Sequence, residues 1–118
     1  MFEAATIRDW IGMPVVDPSG DKIGTLESIY YDTASDLPAF ATVSVGLLGR
    51  TKLVFAPLDG ATVAPKHLTV QYEKKVVRDA PYIESDGELE ASREADLYRH
   101  YNFVYEQGAG GERKLGRR

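Results

Sequence analysis

Apolar residues in the first third of the chain come in short runs separated by turn signals. Residues 13–32, MPVVDPSGDKIGTLESIYYD, read as a short strand, a tight turn and a long bent strand. In Asp17-Pro18-Ser19-Gly20-Asp21 the proline presets φ at the second position, and Gly20 supplies the left-handed conformation the return needs. The apolar positions that follow, Ile23, Leu26, Ile29 and Tyr31, do not keep a strict period of two. A bulge or bend resolves this. Gly24 is its expected place, because glycine tolerates local twist and lets a neighbouring backbone approach. A long strand that bends at glycine suits a small barrel.

Residues 6–11, TIRDWI, predict one or two helical turns capped by Thr6, with Asp9 in the first turn. Ile7, Trp10 and Ile11 share one face, an apolar plug for one barrel end, and Gly12 ends the turn. Residues 39–45 alternate, placing Ala41, Val43 and Val45 on one face and Phe40, Thr42 and Ser44 on the other. Residues 51–56 predict a further strand, and Pro57-Leu58-Asp59-Gly60 a turn in which Gly60 is the structural residue. A short strand over 61–64, a turn at Pro65-Lys66-His67 and alternation through Leu68, Val70 and Tyr72 follow. Residues 74–77 read as an edge-like strand segment closed by Asp79-Ala80-Pro81, since paired lysines and proline protect edges.

From Ser85 the period changes. Ser85-Asp86-Gly87-Glu88 fits a capping box, and residues 89–101 predict a helix, or two short helical pieces broken near Ser92. Leu97, Tyr98 and Tyr101 form its apolar stripe, and Asn102 can adopt the left-handed conformation that stops it. Glu84, Asp86, Glu88, Glu90, Glu94 and Asp96 against Arg93 predict a solvated acidic outer face. Phe103-Val104-Tyr105 then adds a last packed segment. The expected organisation is one domain over residues 1–107 and a glycine-rich, basic, mobile tail over 108–118.

Length and composition fit this picture: 118 residues, 43% hydrophobic and 27% charged, describe one ordinary water-soluble domain. The absence of cysteine excludes disulfides, thiolate chemistry and sulfur-ligated metals. The first residues carry neither a basic start nor a continuous apolar run, and no window reaches membrane-spanning length, so a cytoplasmic location is expected. Net charge is −4, with Arg113, Lys114, Arg117 and Arg118 gathered in the tail against Glu112. The acidic remainder repels a phosphate backbone, which disfavours nucleic acid unless the tail is used.

Four candidate chemistries fail on their own requirements. The oxygens of residues 17–21 suggest a calcium loop, but the twelve-residue spacing and its terminal glutamate are missing. GLLGRTK, residues 46–52, lacks the order of a phosphate-binding loop and lies between strands. Asp96 and His100 stand four apart, yet two ligands make no metal site, so a surface ion pair is expected. His67 in a turn is expected to face solvent, with no nucleophile and orienting carboxylate to make it catalytic. No enzyme, no cofactor and no metal are expected.

The residues so placed resemble the PRC-barrel family. The resemblance is carried by IRDWIG, by V-x-D-x-x-G-x-x-I-G-x-L over residues 15–26 and by IYYD. APLDGATV (56–63) and KKVVRDAPYI (74–83) continue it. LYRHYNFVY (97–105) resembles the tyrosine-rich end of a bacterial, actinobacterial subgroup, so that residues 6–105 are covered. The resemblance implies a mainly β fold, a small six-stranded antiparallel barrel with an N-terminal helical turn and a C-terminal helix. It also implies a non-enzymatic docking module, here a stand-alone one, with a protein partner. Open edges and a surplus of C-terminal aromatics add the expectation of a homodimer. The residues singled out for partner binding are Tyr30, Tyr31, Tyr98, Tyr101, Phe103 and Tyr105, against the plainer reading that most of these tyrosines fill the core and seal its ends; Asp17, Gly20, Gly24 and Gly60 are singled out as structural turns and bends. The alternative is a ribosome- or RNA-processing-associated factor that uses the basic tail.

Overall fold

The longest strand, β2 (Lys22–Asp32), is the hub of the molecule. The computed structural model describes residues 8–47, 50–84, 87–106 and 113–117. In it β2 pairs antiparallel with β1 (Pro14–Val16), with β3 (Pro38–Leu47) and, near its end, with β8 (Leu115–Arg117). β4 (Arg50–Pro57) follows β3, β5 (Thr62–Ala64) and β6 (His67–Thr69) form a small hairpin, and β7 (Tyr82–Glu84) lies beyond β4. One eight-stranded sheet results, in the order β5-β6-β1-β2-β3-β4-β7, with β8 beside β2.

The expected mainly β, PRC-type fold is present, with differences of detail. The sheet counts eight strands rather than six, and β1 runs parallel to β6. Among the described residues β5 and β7 do not pair, so the sheet is not closed by hydrogen bonds.

The broken period of β2 has two causes. The register shifts at Ile23, between the pairs Val15↔Gly24 and Val16↔Lys22, and again at Glu27, between Leu26↔Val43 and Ser28↔Thr42. Each extra residue re-aims the strand, so Leu26 and Ile29, three apart, reach the same core. Gly24 sits beside the first bulge. A Cβ there would strike the Ser44 carbonyl oxygen and lie 2.9 Å from Val43 Cγ1, so glycine permits the close approach of β3.

At the preceding turn, Gly20 has φ of 89° and its N–H donates to the Asp17 carbonyl at 2.9 Å. Gly60 has φ of 73° in the turn before β5.

Residues 74–77, read from sequence as an edge strand, are instead part of a helix, α1 (Lys74–Arg78), with Val77 buried. Five residues are too few for periodicity to separate strand from helix, and the decisive contact is tertiary. The local N-cap, Glu73, makes no side-chain capping bond; Asp17 Oδ2, 57 residues away, accepts from the Lys74 N–H at 3.1 Å. At the other end, Arg78 Nη2 donates to the Ile23 carbonyl at the β2 bulge, at 3.2 Å.

The C-terminal helix arrives in two pieces, a 3-10 turn over Ala91–Arg93 and then α2 (Glu94–His100). Asn102 stops it at φ of 62°. The Phe103 N–H bonds to the Tyr98 carbonyl at 2.8 Å and the Asn102 N–H to the Arg99 carbonyl at 3.1 Å, a Schellman motif. Thr6, Ile7, Leu48, Gly49, Ser85, Asp86 and residues 108–112, on which the N-cap, the glycine-pair loop, the capping box and part of the tail were placed, lie outside the described residues.

Residues 113–117 are not a free tail. Leu115 is fully buried, β8 pairs with Tyr30–Asp32, and Lys114 Nζ lies 3.0 Å from Asp32 Oδ2.

Strand alternation gives the sheet two buried faces. Val15, Ile23, Leu26, Val43, Val54, Leu68 and Val77 fill the inner side. Tyr30, Phe40, Leu53 and Phe55 point the other way and are covered by Leu89, α2 and Leu115.

Candidate interaction surface

The outer face is built from rings. Tyr30 meets Phe55 edge-on with centroids 4.9 Å apart, Phe40 meets Tyr98 at 5.5 Å, and Tyr72 meets Tyr101 at 4.9 Å. The hydroxyls are used as well. Tyr101 OH donates to the Phe55 carbonyl at 2.5 Å, and Tyr30 OH accepts from the Leu89 N–H at 3.3 Å.

Glu94 is the centre of this layer. The sequence placed it on a solvated acidic face, whereas the structure buries it completely. One carboxylate oxygen accepts from Tyr105 OH at 2.6 Å and from the Lys114 N–H at 2.8 Å; the other accepts from the Leu115 N–H at 2.9 Å. A single buried carboxylate thus fastens β8 and residue 105 to α2, with its oxygens paired as burial requires. The signal was available: Glu94 stands at i, i+3, i+4, i+7 with Leu97, Tyr98 and Tyr101, on the apolar stripe rather than opposite it.

This environment disfavours tyrosinate. Burial raises the Tyr98 and Tyr101 hydroxyls above the ordinary phenol value, with Asp32 and Glu94 adding to the effect at Tyr98. Tyr105 is pushed up to about 12 by partial burial and its bond to Glu94. Burial likewise raises Tyr30, against the opposing Leu89 N–H.

Of the six tyrosine and phenylalanine positions singled out from sequence, four are buried in the chain's own core. Tyr30, Tyr98 and Tyr101 belong to the outer cluster, and Tyr31 points into the inner one. Phe103 and Tyr105 are half-buried, and Val104 between them is 86% exposed. Sequence reasoning missed Leu37, 42% exposed, which with Pro38, Phe40, Leu58, Tyr98 and Phe103 lines an open, mainly apolar groove of about 590 Å³.

The ion pairs also differ from expectation. Asp96 bonds Arg99 at 2.9 Å, not His100, whose Nε2 lies 2.7 Å from the Val76 carbonyl. His67 opens β6 and is half-buried rather than sitting in a turn. Arg113 meets Glu88 at 2.7 Å, so Arg113 and Lys114 both serve internal contacts.

The oxygen-rich first turn holds its own chain. Asp17 Oδ1 accepts from the Ser19 and Asp21 N–H groups at 2.9 Å, and Oδ2 from Lys74. Burial would raise this carboxyl, but those three N–H donors and the Lys74 charge outweigh it and hold it below the usual range. Among the described residues no three histidine or carboxylate side chains gather as a metal site. No helix among them is long and apolar enough to cross a membrane.

No curated protein matches the sequence. The family model described as PRC-barrel domain matches residues 2–88, which takes in β1 to β7 and stops just short of Leu89. It therefore does not extend to LYRHYNFVY, where the sequence resemblance was carried. PRC-barrel domains are a non-catalytic family that mediates protein interactions. With well more than half of its residues matched, this chain belongs to the PRC-barrel domain family.

Proposed function

We propose that the chain is a non-enzymatic protein-docking module that self-associates, and that the groove bounded by Leu37, Phe40, Leu58 and Phe103 receives a protein partner. The observation that carries the reading is the placement of exposed apolar side chains. After α2 and β8 have covered the outer face, Leu37 stays partly in solvent on the wall of an open apolar groove, and Val104, next in sequence to the groove residue Phe103, stays in solvent as well. A role through the basic C-terminus has less support, since Arg113 and Lys114 already pair with Glu88 and Asp32.

The test is affinity purification from the native host with the wild-type chain and with Leu37→Glu and Val104→Glu. Proteins retained by the wild type and lost by both variants are expected; identical profiles overturn the groove. Light scattering tests self-association separately, and a clean 13.0 kDa monomer at high concentration overturns it.

A further inference from the structure

Around the exposed β7 the surface charge is divided in two. On one side an open groove of about 580 Å³ is edged by Lys52, Arg78, Arg93 and Arg99 against Asp79 and Asp96, and Asp96 is already paired with Arg99. On the other side lies a shelf whose acids are Glu84, opposite Lys52 in the β4–β7 ladder, Glu90, and Glu88, which is already paired with Arg113. The two share Tyr82 and Arg93, so the boundary between them runs along Tyr82, a ring 43% exposed with Lys52 Nζ 4.4 Å from its centroid.

We infer that this divided face is where two copies of the chain meet, and this rests on the self-association proposed above. A twofold axis lying along the boundary maps the basic groove of each copy onto the acidic shelf of the other. That is the self-complementarity an isologous interface needs. Tyr82, at the axis, supplies the aromatic contact that commonly anchors the centre of an interface. Pairing goes through side chains rather than by adding a strand to β7. The Tyr82 and Glu84 carbonyls already accept from Arg93 Nη1 at 3.0 Å and from the Gly87 N–H at 2.9 Å.

A second copy fits better than nucleic acid. A continuous phosphate backbone crossing the groove would meet Glu84, Glu88 and Glu90 next to it, on a chain of net charge −4. The face shares no residue with the apolar groove of the proposed docking site, so a dimer of this kind leaves both grooves open and presents them in pairs.

Charge reversal followed by mixing tests the inference on the full chain. One variant makes the groove acidic (Arg93→Glu with Arg99→Glu); the other makes the shelf basic (Glu84→Lys with Glu90→Lys). All four positions are exposed, and circular dichroism checks that both variants fold. The wild type is expected to dimerise by light scattering at about 20 mM salt and to weaken at about 0.5 M. Each variant alone is expected to associate at least about ten-fold more weakly, and an equimolar mixture to form the heterodimer, because both contacts then have opposite charges again.

A wild-type dimer that both variants retain, or folded variants that fail to combine, overturns this face while leaving self-association standing. A wild-type monomer at low salt overturns both. Binding of a glutamate-rich peptide or an oligonucleotide to the groove of such a monomer assigns the face to a different partner.

Discussion

The two faces of the sheet are packed by different chemistry. The inner face is almost entirely aliphatic, with Trp10 and Tyr31 as its buried rings, and β1 to β4, β6 and α1 supply most of it. The outer face is a stack of rings tied by hydroxyls and one buried carboxylate, and five of its eleven buried hydrophobic residues come from residues 89–115. The family match covers every residue of the first cluster and ends before Leu89, Leu97, Tyr98, Tyr101 and Leu115 of the second. The family match thus spans the whole inner cluster, and the cover over the sheet's back is built by the part of this chain that the match does not reach. Aliphatic packing needs only volume and shape, whereas the cover also needs its polar atoms satisfied. That makes it separable in principle.

The largest effect is expected on the inner side. Leu26 is fully buried where β2 bends, and Leu26→Ala should lower global stability by about 2–5 kcal/mol through lost burial and a residual cavity. Denaturant melts should show it, and hydrogen exchange should accelerate at all core amides together. Acceleration confined to β2 would mean that this face does not hold the fold as one unit.

Glu94→Ala comes next, at about 2–3 kcal/mol, because it strips the Lys114 and Leu115 N–H groups and the Tyr105 hydroxyl of their acceptor. Here exchange should rise in β8 and residues 94–106 while β2 to β4 stay protected. A uniform rise would show that the two faces unfold together and that the cover is part of the barrel.

The same contrast explains what could be read from the sequence. Period-two alternation through residues 39–45 assigns Ala41, Val43 and Val45 to one face and Phe40 and Thr42 to the other, and the structure puts them there. Local turn chemistry likewise marks Asp17 and Gly20. What escapes is whatever a distant partner decides. Residues 74–78 become a helix because Asp17 caps them from across the chain, and Leu115–Arg117 becomes a strand because Asp32 and Glu94 hold it. Composition alone marks those last residues as a basic tail. Tyr98 and Tyr101 read equally well as partner anchors or as core, and the choice depends on whether β3 and β4 present rings on their backs, as Phe40 and Phe55 do.

Alkali should distinguish the faces more gently. The hydroxyls of Tyr30, Tyr98, Tyr101 and Tyr105 have folded pKa values above the ordinary phenol value of about 10. A raised folded value gives stability that is complete below the unfolded value and is lost as pH rises through the folded one. Tyrosinate absorbance followed from pH 9 to 12 should therefore show late-titrating rings whose ionisation coincides with release of the C-terminal segment. Ionisation at ordinary values with the segment still bound would break the link. Acid should not discriminate. Asp17 on the hairpin and Asp32 at β8 are both held low, Asp32 by Lys114 and local N–H groups against the cost of burial. Both contributions are present above the unfolded value and lost as pH falls below the usual carboxylate range, so both faces loosen together.

The smallest predicted change is Tyr101→Phe. Its ring stays in contact with Tyr72, and only the hydrogen bond to the Phe55 carbonyl goes, so the expected loss is about 1 kcal/mol. Among the described residues that bond ties α2's C-terminal cap directly to β4. The loss should therefore combine with Glu94→Ala in an informative way. If the cover is one cooperative layer, the double variant costs less than the two single losses together, because the segment released by the first change no longer holds the second bond. Strict additivity in a double-mutant cycle would mean that Tyr101 and Glu94 fasten the C-terminal segment independently, one at the strand and one at the tail, with no shared layer between them.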